Sequence, residues 1–200
     1  QSRSSAASDV YKRQCQSAAL ARLVQMKPEL RERIALVIGL FCTESFAHAG
    51  LARLVEERLG RPLSEATRFD IKRGRLLVRA SGVAEPVEWR MKELHDLVWP
   101  ICLACQDLPA EYADVSIGSI GSAEGANSVI VRSQRGQEVM DAGARAGLWK
   151  LAPLEQPDAL AKQCERKRGN LERLSEEERA LYGRASVRGN WKRRGRDAGP

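Results

Sequence analysis

No stretch of this sequence is apolar for long enough to cross a membrane as a helix. The longest run, residues 34–42, is nine residues including Gly39, against the roughly 18 that a span requires. A transmembrane helix is therefore excluded, and residues 1–14 contain no apolar segment of the kind a secretory leader uses. The chain also lacks an H-E-x-x-H pair, a Walker loop and an ordered Ser/His/Asp set, which removes the commonest zinc-protease, P-loop and serine-hydrolase signatures. Histidine is scarce. His48 and His95 are the only two, each in an expected helix away from any cysteine or paired carboxylate, and neither is read as catalytic. Nor is the composition that of a disordered chain, with 43% apolar and 30% charged residues.

What is present fits a cytoplasmic globular protein of 200 residues, enough for one ordinary domain or one and a half. Five cysteines in such a chain argue for metal or redox use rather than a disulfide framework. The net charge of +7 belongs mostly to one end, because residues 161–200 hold 12 basic and six acidic side chains. Arg166–Lys167–Arg168 and Lys192–Arg193–Arg194 carry that excess. It reads as a solvated terminus; nucleic acid is the weaker alternative, since Trp191 is the only aromatic interleaved with the basic clusters and no nucleic-acid motif accompanies them. Residues 1–14 have no periodicity and resemble an adapter-derived peptide foreign to the natural chain. Residues 15–152 read as the main domain and 153–200 as a helical, basic tail.

The expected fold class is mixed α/β, short buried strands alternating with helices. Ala18, Leu20, Leu23 and Val24 recur at helical spacing, and the helix should stop near Pro28. Residues 34–41 form a continuous, β-branched-rich run, the pattern of a strand buried on both faces, with Cys42 at its end. Thr43 and Ser45 are candidate caps for a following helix that buries Leu51, Leu54, Val55 and Leu59 and stops at Gly60. Strand, turn and helix make an α/β unit whose C-terminal strand edge is the favoured ligand side. A hairpin over 69–79 turns at Arg73–Gly74, and a helix over 89–99 ends at Pro100. Short strands at 114–117 and 128–133 flank a Gly/Ser-rich loop over 118–125, and a helix follows over 137–147. Beyond Pro153 the chain is helical, with a capping box at Ser175 and Glu178.

The chemistry rests on cysteine. Cys102 and Cys105 form a C-x-x-C, which by itself suits a redox dithiol, half a zinc site or half an iron–sulfur site. The thioredoxin reading is disfavoured by Pro100 before the pair and Pro109 soon after it. Cys42 ends a buried strand and Cys15 opens a helix, where the partial positive charge of the N-terminus favours the thiolate form that ligates metal. These make four candidate ligands, and Cys164, in a Lys/Arg-rich helix, reads as a bystander. Structural zinc usually draws its ligands as two close pairs. The wide spread of these four favours a cluster held inside a fold, with zinc still open.

The segments CQSAAL, IALVIGLFCTESF, FDIKRGRLLV, CLACQDLPAEYADVSIGSIGS and NSVIVRSQRG, in that order, resemble the coenzyme F420 hydrogenase/dehydrogenase beta-subunit family, mainly its C-terminal domain. The resemblance covers Cys15 to about Gly147 and rests on the group of segments rather than on any one. It implies an iron–sulfur flavoprotein that passes electrons between reduced coenzyme F420, FAD and a 4Fe-4S cluster, and on to a hydrogenase, dehydrogenase or ferredoxin-type partner. It implies that Cys15, Cys42, Cys102 and Cys105 ligate the cluster. It also implies that the loop of Gly118, Ser119, Gly121 and Ser122 lies near the flavin or deazaflavin, and Asp114, just before it, is a candidate to orient a ligand hydroxyl or, equally, to cap a helix or turn. Glycines permit close backbone approach there, and successive N–H groups can cradle phosphate. Lys72 and Arg73 are candidates to meet an acidic cofactor tail, against the commoner reading of a solvated hairpin tip. Family members normally carry a further region before the CQ-x-x-AL segment, where this chain has residues 1–14. The alternatives are a zinc-stabilised four-cysteine binding module with a basic tail, and a same-family oxidoreductase using another donor.

Overall fold

Short apolar strands and amphipathic helices alternate along the chain, and the backbone they produce is mixed α/β. A computed structural model describes residues 11–12, 14–72 and 74–182. In chain order the first elements are β1 (Tyr11–Lys12), α1 (Gln14–Met26), β2 (Ile38–Leu40), α2 (His48–Leu59), β3 (Ala66–Lys72), β4 (Arg75–Ala80) and β5 (Val87–Arg90). Then come α3 (Pro100–Leu103), β6 (Val115–Gly118), β7 (Ser128–Val131), α4 (Gln134–Arg145), α5 (Pro157–Arg168) and α6 (Glu176–Tyr182). The chain divides into two compact units: Glu44–Leu103 is one, and the segments before and after it form the other. The stretch read from sequence as one domain over 15–152 thus contains an inserted unit.

In the larger unit the sheet order is β1-β2-β6-β7. The first three strands are parallel and β7 returns antiparallel to β6, pairing Val115 with Val131 and Gly118 with Ser128. The strand expected over 34–41 is shorter, Ile38–Leu40, with the Val37 carbonyl before it accepting from the Asp114 and Val115 N–H groups at 2.9 and 3.2 Å. Side chains satisfy other groups of the preceding backbone: the Arg135 guanidinium donates to the Ile34 and Ala35 carbonyls, and the Val37 N–H donates to the Asp114 carboxylate at 2.8 Å. Only Gly39 within β2 is fully buried. The C-terminal segment is helical as expected. Its capping box forms, with Ser175 N–H donating to Glu178 Oε2 at 2.9 Å and Glu178 N–H to Ser175 Oγ at 3.2 Å.

The inserted unit is a three-stranded antiparallel sheet, β3-β4-β5, with α2 packed on it. Val55 of α2 is buried against Leu76, Val78, Trp89 and Leu94, each side chain contributing about 1.5–3 kcal/mol of burial. The hairpin turns where expected, with Lys72 paired to Arg75 and Gly74 at φ +72°; Arg73 lies outside the described residues. The helix stop at Gly60 also holds, its N–H bonding Glu56 O at 2.8 Å.

Three expectations change here. α2 begins at His48 after Ala47, without a side-chain cap, so Thr43 and Ser45 do not cap it. It packs on the sheet of its own unit rather than completing an α/β unit with β2. Finally, the helix expected over 89–99 is not α-helical. Trp89 is buried between exposed Glu88 and Arg90, a period of two that places 87–90 in β5 against β4. A 3-10 helix, Met91–Leu97, follows, opened by the Arg90 N–H bond to Glu93 at 2.6 Å. Pro100 then starts α3 instead of stopping a helix, because its missing N–H costs nothing in a first turn.

Candidate functional site

Three parallel strands deliver their C-terminal ends to one edge of the larger unit's sheet. Tyr11 pairs with Ile38 and Lys12 with Gly39; Ile38 pairs with Val115 and Leu40 with Ile117. The residues after each strand therefore emerge at the same end, the position where open parallel sheets bind ligands. β1 runs into α1, whose second residue is Cys15. β2 runs into Cys42, and β6 ends at Gly118, where the Gly/Ser loop begins.

The ladder continues one residue past β2, with Phe41 N–H donating to Ile117 O at 2.9 Å. The next N–H, that of Cys42, leaves the sheet and donates to Leu108 O at 3.1 Å. That bond ties the end of β2 to the segment carrying Cys105, whose Sγ lies 3.5 Å from the Asp107 carbonyl. Cys15 is exposed, while Cys42 and Cys105 are half-buried. Cys102 sits in α3 of the inserted unit, its N–H bonded to Trp99 O at 2.8 Å. All five cysteines are thiols rather than disulfides. Thiols in segments that meet at one strand edge suit a soft metal centre, iron or zinc, by donor chemistry. Among the described residues, no three His, Cys, Asp or Glu side chains are drawn together tightly enough to form a metal-binding group.

The Gly/Ser loop is built by internal contacts. A Cβ at Gly118 would fall inside the Phe41 side chain, so only glycine lets that ring lie across the end of β6. Gly121, at φ +91°, accepts a bond from Gln156 N–H at 2.9 Å, and a Cβ there would come within 2.8 Å of the Gln156 carbonyl. Ser122 Oγ lies within bonding distance of the Ser119 and Ala126 carbonyls, and Ser128 Oγ donates to Ile120 O at 2.6 Å. Asp114 uses both carboxylate oxygens within the fold, accepting from Val37 N–H and from Ser133 Oγ at 2.6 Å. Ser133 in turn caps α4 through Gly136 N–H. Lys72 is exposed at the hairpin of the inserted unit.

Sequence reasoning missed a polar network beneath the Cys105 segment. Arg132 donates to Ser116 Oγ at 2.6 Å and to Pro109 O at 3.1 Å. Asp107, 4% exposed, accepts from Glu111 N–H through both oxygens, at 3.0 and 3.3 Å. Burial lowers the Arg132 pKa, opposed by the Asp107 and Glu111 carboxylates. Burial raises that of Cys164; Arg168 opposes the shift, and Glu111 and Asp107 add to it. Ala110, fully buried, has φ +53°, a left-handed conformation that a side-chain-bearing residue adopts at a cost of order 1–3 kcal/mol. Its signal in sequence was only the Pro109 before it; Arg132 had none, since it follows an ordinary strand.

A family model for the C terminus of the coenzyme F420 hydrogenase/dehydrogenase beta subunit matches residues 11–157. The chain is 35% identical over 162 residues to a coenzyme F420-dependent sulfite reductase of Methanocaldococcus jannaschii, covering 78% of this chain and 25% of that protein. It is 31% identical over 125 residues to a coenzyme F420 hydrogenase subunit beta of Methanothermobacter thermautotrophicus, covering 62% and 44%. The chain thus spans less than half the length of both of these relatives. Among solved structures, a chain of the F420-reducing NiFe hydrogenase complex from Methanosarcina barkeri superposes with a TM-score of 0.74 at 27% identity, covering 87% of this chain and 62% of that one.

Proposed function

We propose, from the premise that this chain belongs to the coenzyme F420 hydrogenase/dehydrogenase beta-subunit family, that it is the iron–sulfur flavoprotein subunit of an F420-linked oxidoreductase. In this reading Cys15, Cys42, Cys102 and Cys105 ligate a 4Fe-4S cluster. Gly118, Ser119, Gly121 and Ser122 border the flavin or deazaflavin. When bound, the flavins supply hydride chemistry and the cluster supplies single-electron transfer. A hydrogenase or dehydrogenase subunit, or a ferredoxin, is the electron partner. Relatives named as hydrogenase and dehydrogenase subunits support that partner class.

The observation that carries the reading is the shared edge: Cys15, Cys42 and Gly118 follow the C-terminal ends of three parallel strands. The chain's own contribution is to hold thiols and backbone in place. The Cys42–Leu108 bond couples the strand end to the Cys105 segment, and Gly118 keeps the loop backbone close to Phe41. Asp114 has a positioning role, joining the start of β2 to the cap of α4.

The test is an anaerobic visible spectrum of the purified, reconstituted chain, with iron and acid-labile sulfide counted on the same sample. About four iron and four sulfide per chain, lost in Cys102→Ser, is the expected result. A colourless protein with about one zinc per chain would replace it with the four-cysteine binding module. Iron unchanged in Cys102→Ser would remove that residue from the ligand set.

A further inference from the structure

The family match ends at residue 157, where α5 begins. Its first turn and its far end are both tied to segments of the candidate site. Gln156, immediately before α5, donates its N–H to Gly121 O at 2.9 Å in the Gly/Ser loop. At the other end, Gln106 Nε2 donates to Arg168 O at 2.7 Å, and Asn170 Nδ2 donates to the Cys105 carbonyl at 3.1 Å. Arg168 also pairs with Glu111 at 3.3 Å. Leu160, 7% exposed, seats the helix between these ends. A 12-residue helix is about 18 Å long and stiff, so it fixes both loops at once.

The Cys105 segment needs such restraint. Residues 105–111 form no helix or strand, and they include Ala110 at positive φ. Four of their carbonyls accept from outside the segment: Cys105 O from Asn170, Leu108 O from Cys42, Pro109 O from Arg132 and Ala110 O from Ser116 Oγ. Of these, the bond to the Cys105 carbonyl is closest to the thiol. It comes from a part of the chain that sequence reading treated as a solvated tail.

We infer that α5 with Asn170 is a positioning strut, and that Asn170 acts through the Cys105 carbonyl to hold the Cys105 thiol in place and limit its access to water. The inference rests on the assignment of Cys105 as a ligand only in its redox consequence; the restraint on the thiol stands without it. Asn170→Leu removes the N–H₂ that bonds Cys105 while adding no charge and keeping the side-chain volume. It also removes the Oδ1 that accepts from Arg173 at 3.1 Å, a loss for which Arg173→Ala is the control.

The experiment has two arms on the full chain, each preceded by circular dichroism to confirm folding. In the metal-free chain, peptide-mapped alkylation at fixed pH should label Cys105 about five-fold faster in Asn170→Leu than in wild type, the weight of one net hydrogen bond. Cys15 labelling should be unchanged. In the reconstituted chain, iron content should be kept. The midpoint potential should rise by about 40 mV, the same five-fold factor at 59 mV per decade, because water favours the more charged reduced cluster. Gln106→Ala, which cuts the neighbouring tie from the other side, should move both readouts in the same direction and serves if Asn170→Leu fails to fold. Unchanged Cys105 labelling in these variants would overturn the strut. Faster labelling in a chain that takes up no iron would keep the strut and overturn the cluster. Faster labelling with iron retained and an unmoved potential would overturn the redox role.

Discussion

The backbone N–H of Cys42 donates to the carbonyl of Leu108 at 3.1 Å, joining segments more than sixty residues apart in sequence. Through this bond the end of a parallel strand and the segment after the C-x-x-C share one position. Several consequences can be measured.

Gly118 is held against Phe41. Gly118→Ala drives a methyl into that side chain and should destabilise the fold by about 1–3 kcal/mol, as overpacking does. At this chain length each kcal/mol is worth about 2–4 °C in Tm. Phe41→Ala removes the Cγ and Cδ2 that the methyl would meet first, so in the same background the two losses should be less than additive. A thermal melt of the single and double variants decides it, and additive losses would show that the two positions are not in conflict.

Arg132 bridges Ser116 and Pro109 beneath the Cys105 segment. Lysine cannot span both acceptors with a planar fork, so Arg132→Lys should cost about 1–3 kcal/mol in urea unfolding. A midpoint equal to wild type would mean that the two bonds contribute nothing net.

The Cys164 thiol is raised by burial, with Arg168 opposing. At a given pH it therefore holds less thiolate than an ordinary thiol, and iodoacetamide should modify it more slowly than exposed Cys15 across neutral to mildly alkaline pH. The linkage follows in sign. Above the ordinary thiol range the unfolded chain loses this proton while the folded chain keeps it, so stability falls as pH rises from the unfolded value through the folded one. Cys164→Ser should flatten that alkaline loss in a pH series of denaturant midpoints.

Trp89 in the inserted unit is 1% exposed, and its indole N–H is buried without a hydrogen-bond partner among the described residues. Trp89→Phe removes an unsatisfied donor along with some packing and should cost far less than Trp89→Ala, which loses about 3–5 kcal/mol. The Arg58 guanidinium stands 4.9 Å from the ring centroid, and Arg58→Ala should cost about 0.5–1 kcal/mol. Equal midpoints for the phenylalanine and alanine variants would refute the packing account.

Features set by neighbouring residues were legible in the sequence. The Gly74 turn, the stop at Gly60, the placement of Cys15 in the first turn of α1 and the Ser175–Glu178 box each depend on chemistry within a few positions, and the structure has all four. The Cys42 position at a strand end was legible for the same reason, since an apolar run ending in a cysteine is a local pattern. The helix over 89–99 was misread because an apolar window does not distinguish a short strand followed by a 3-10 helix from one helix; pairing with β4 decided it.

What only tertiary structure decided involves distant partners. The strand over 34–41 was cut short by Asp114, 77 residues from Val37, and by Arg135, 101 residues from Ile34. The same holds for Arg132 under the Cys105 segment and for Asn170 on the Cys105 carbonyl, 65 residues away. A side chain that satisfies a remote backbone group leaves no periodic trace near either residue. Sequence alone therefore determined the local elements and the candidate thiols, while the folded chain decided which loops those thiols are tied to, because that depends on closing long loops through specific hydrogen bonds.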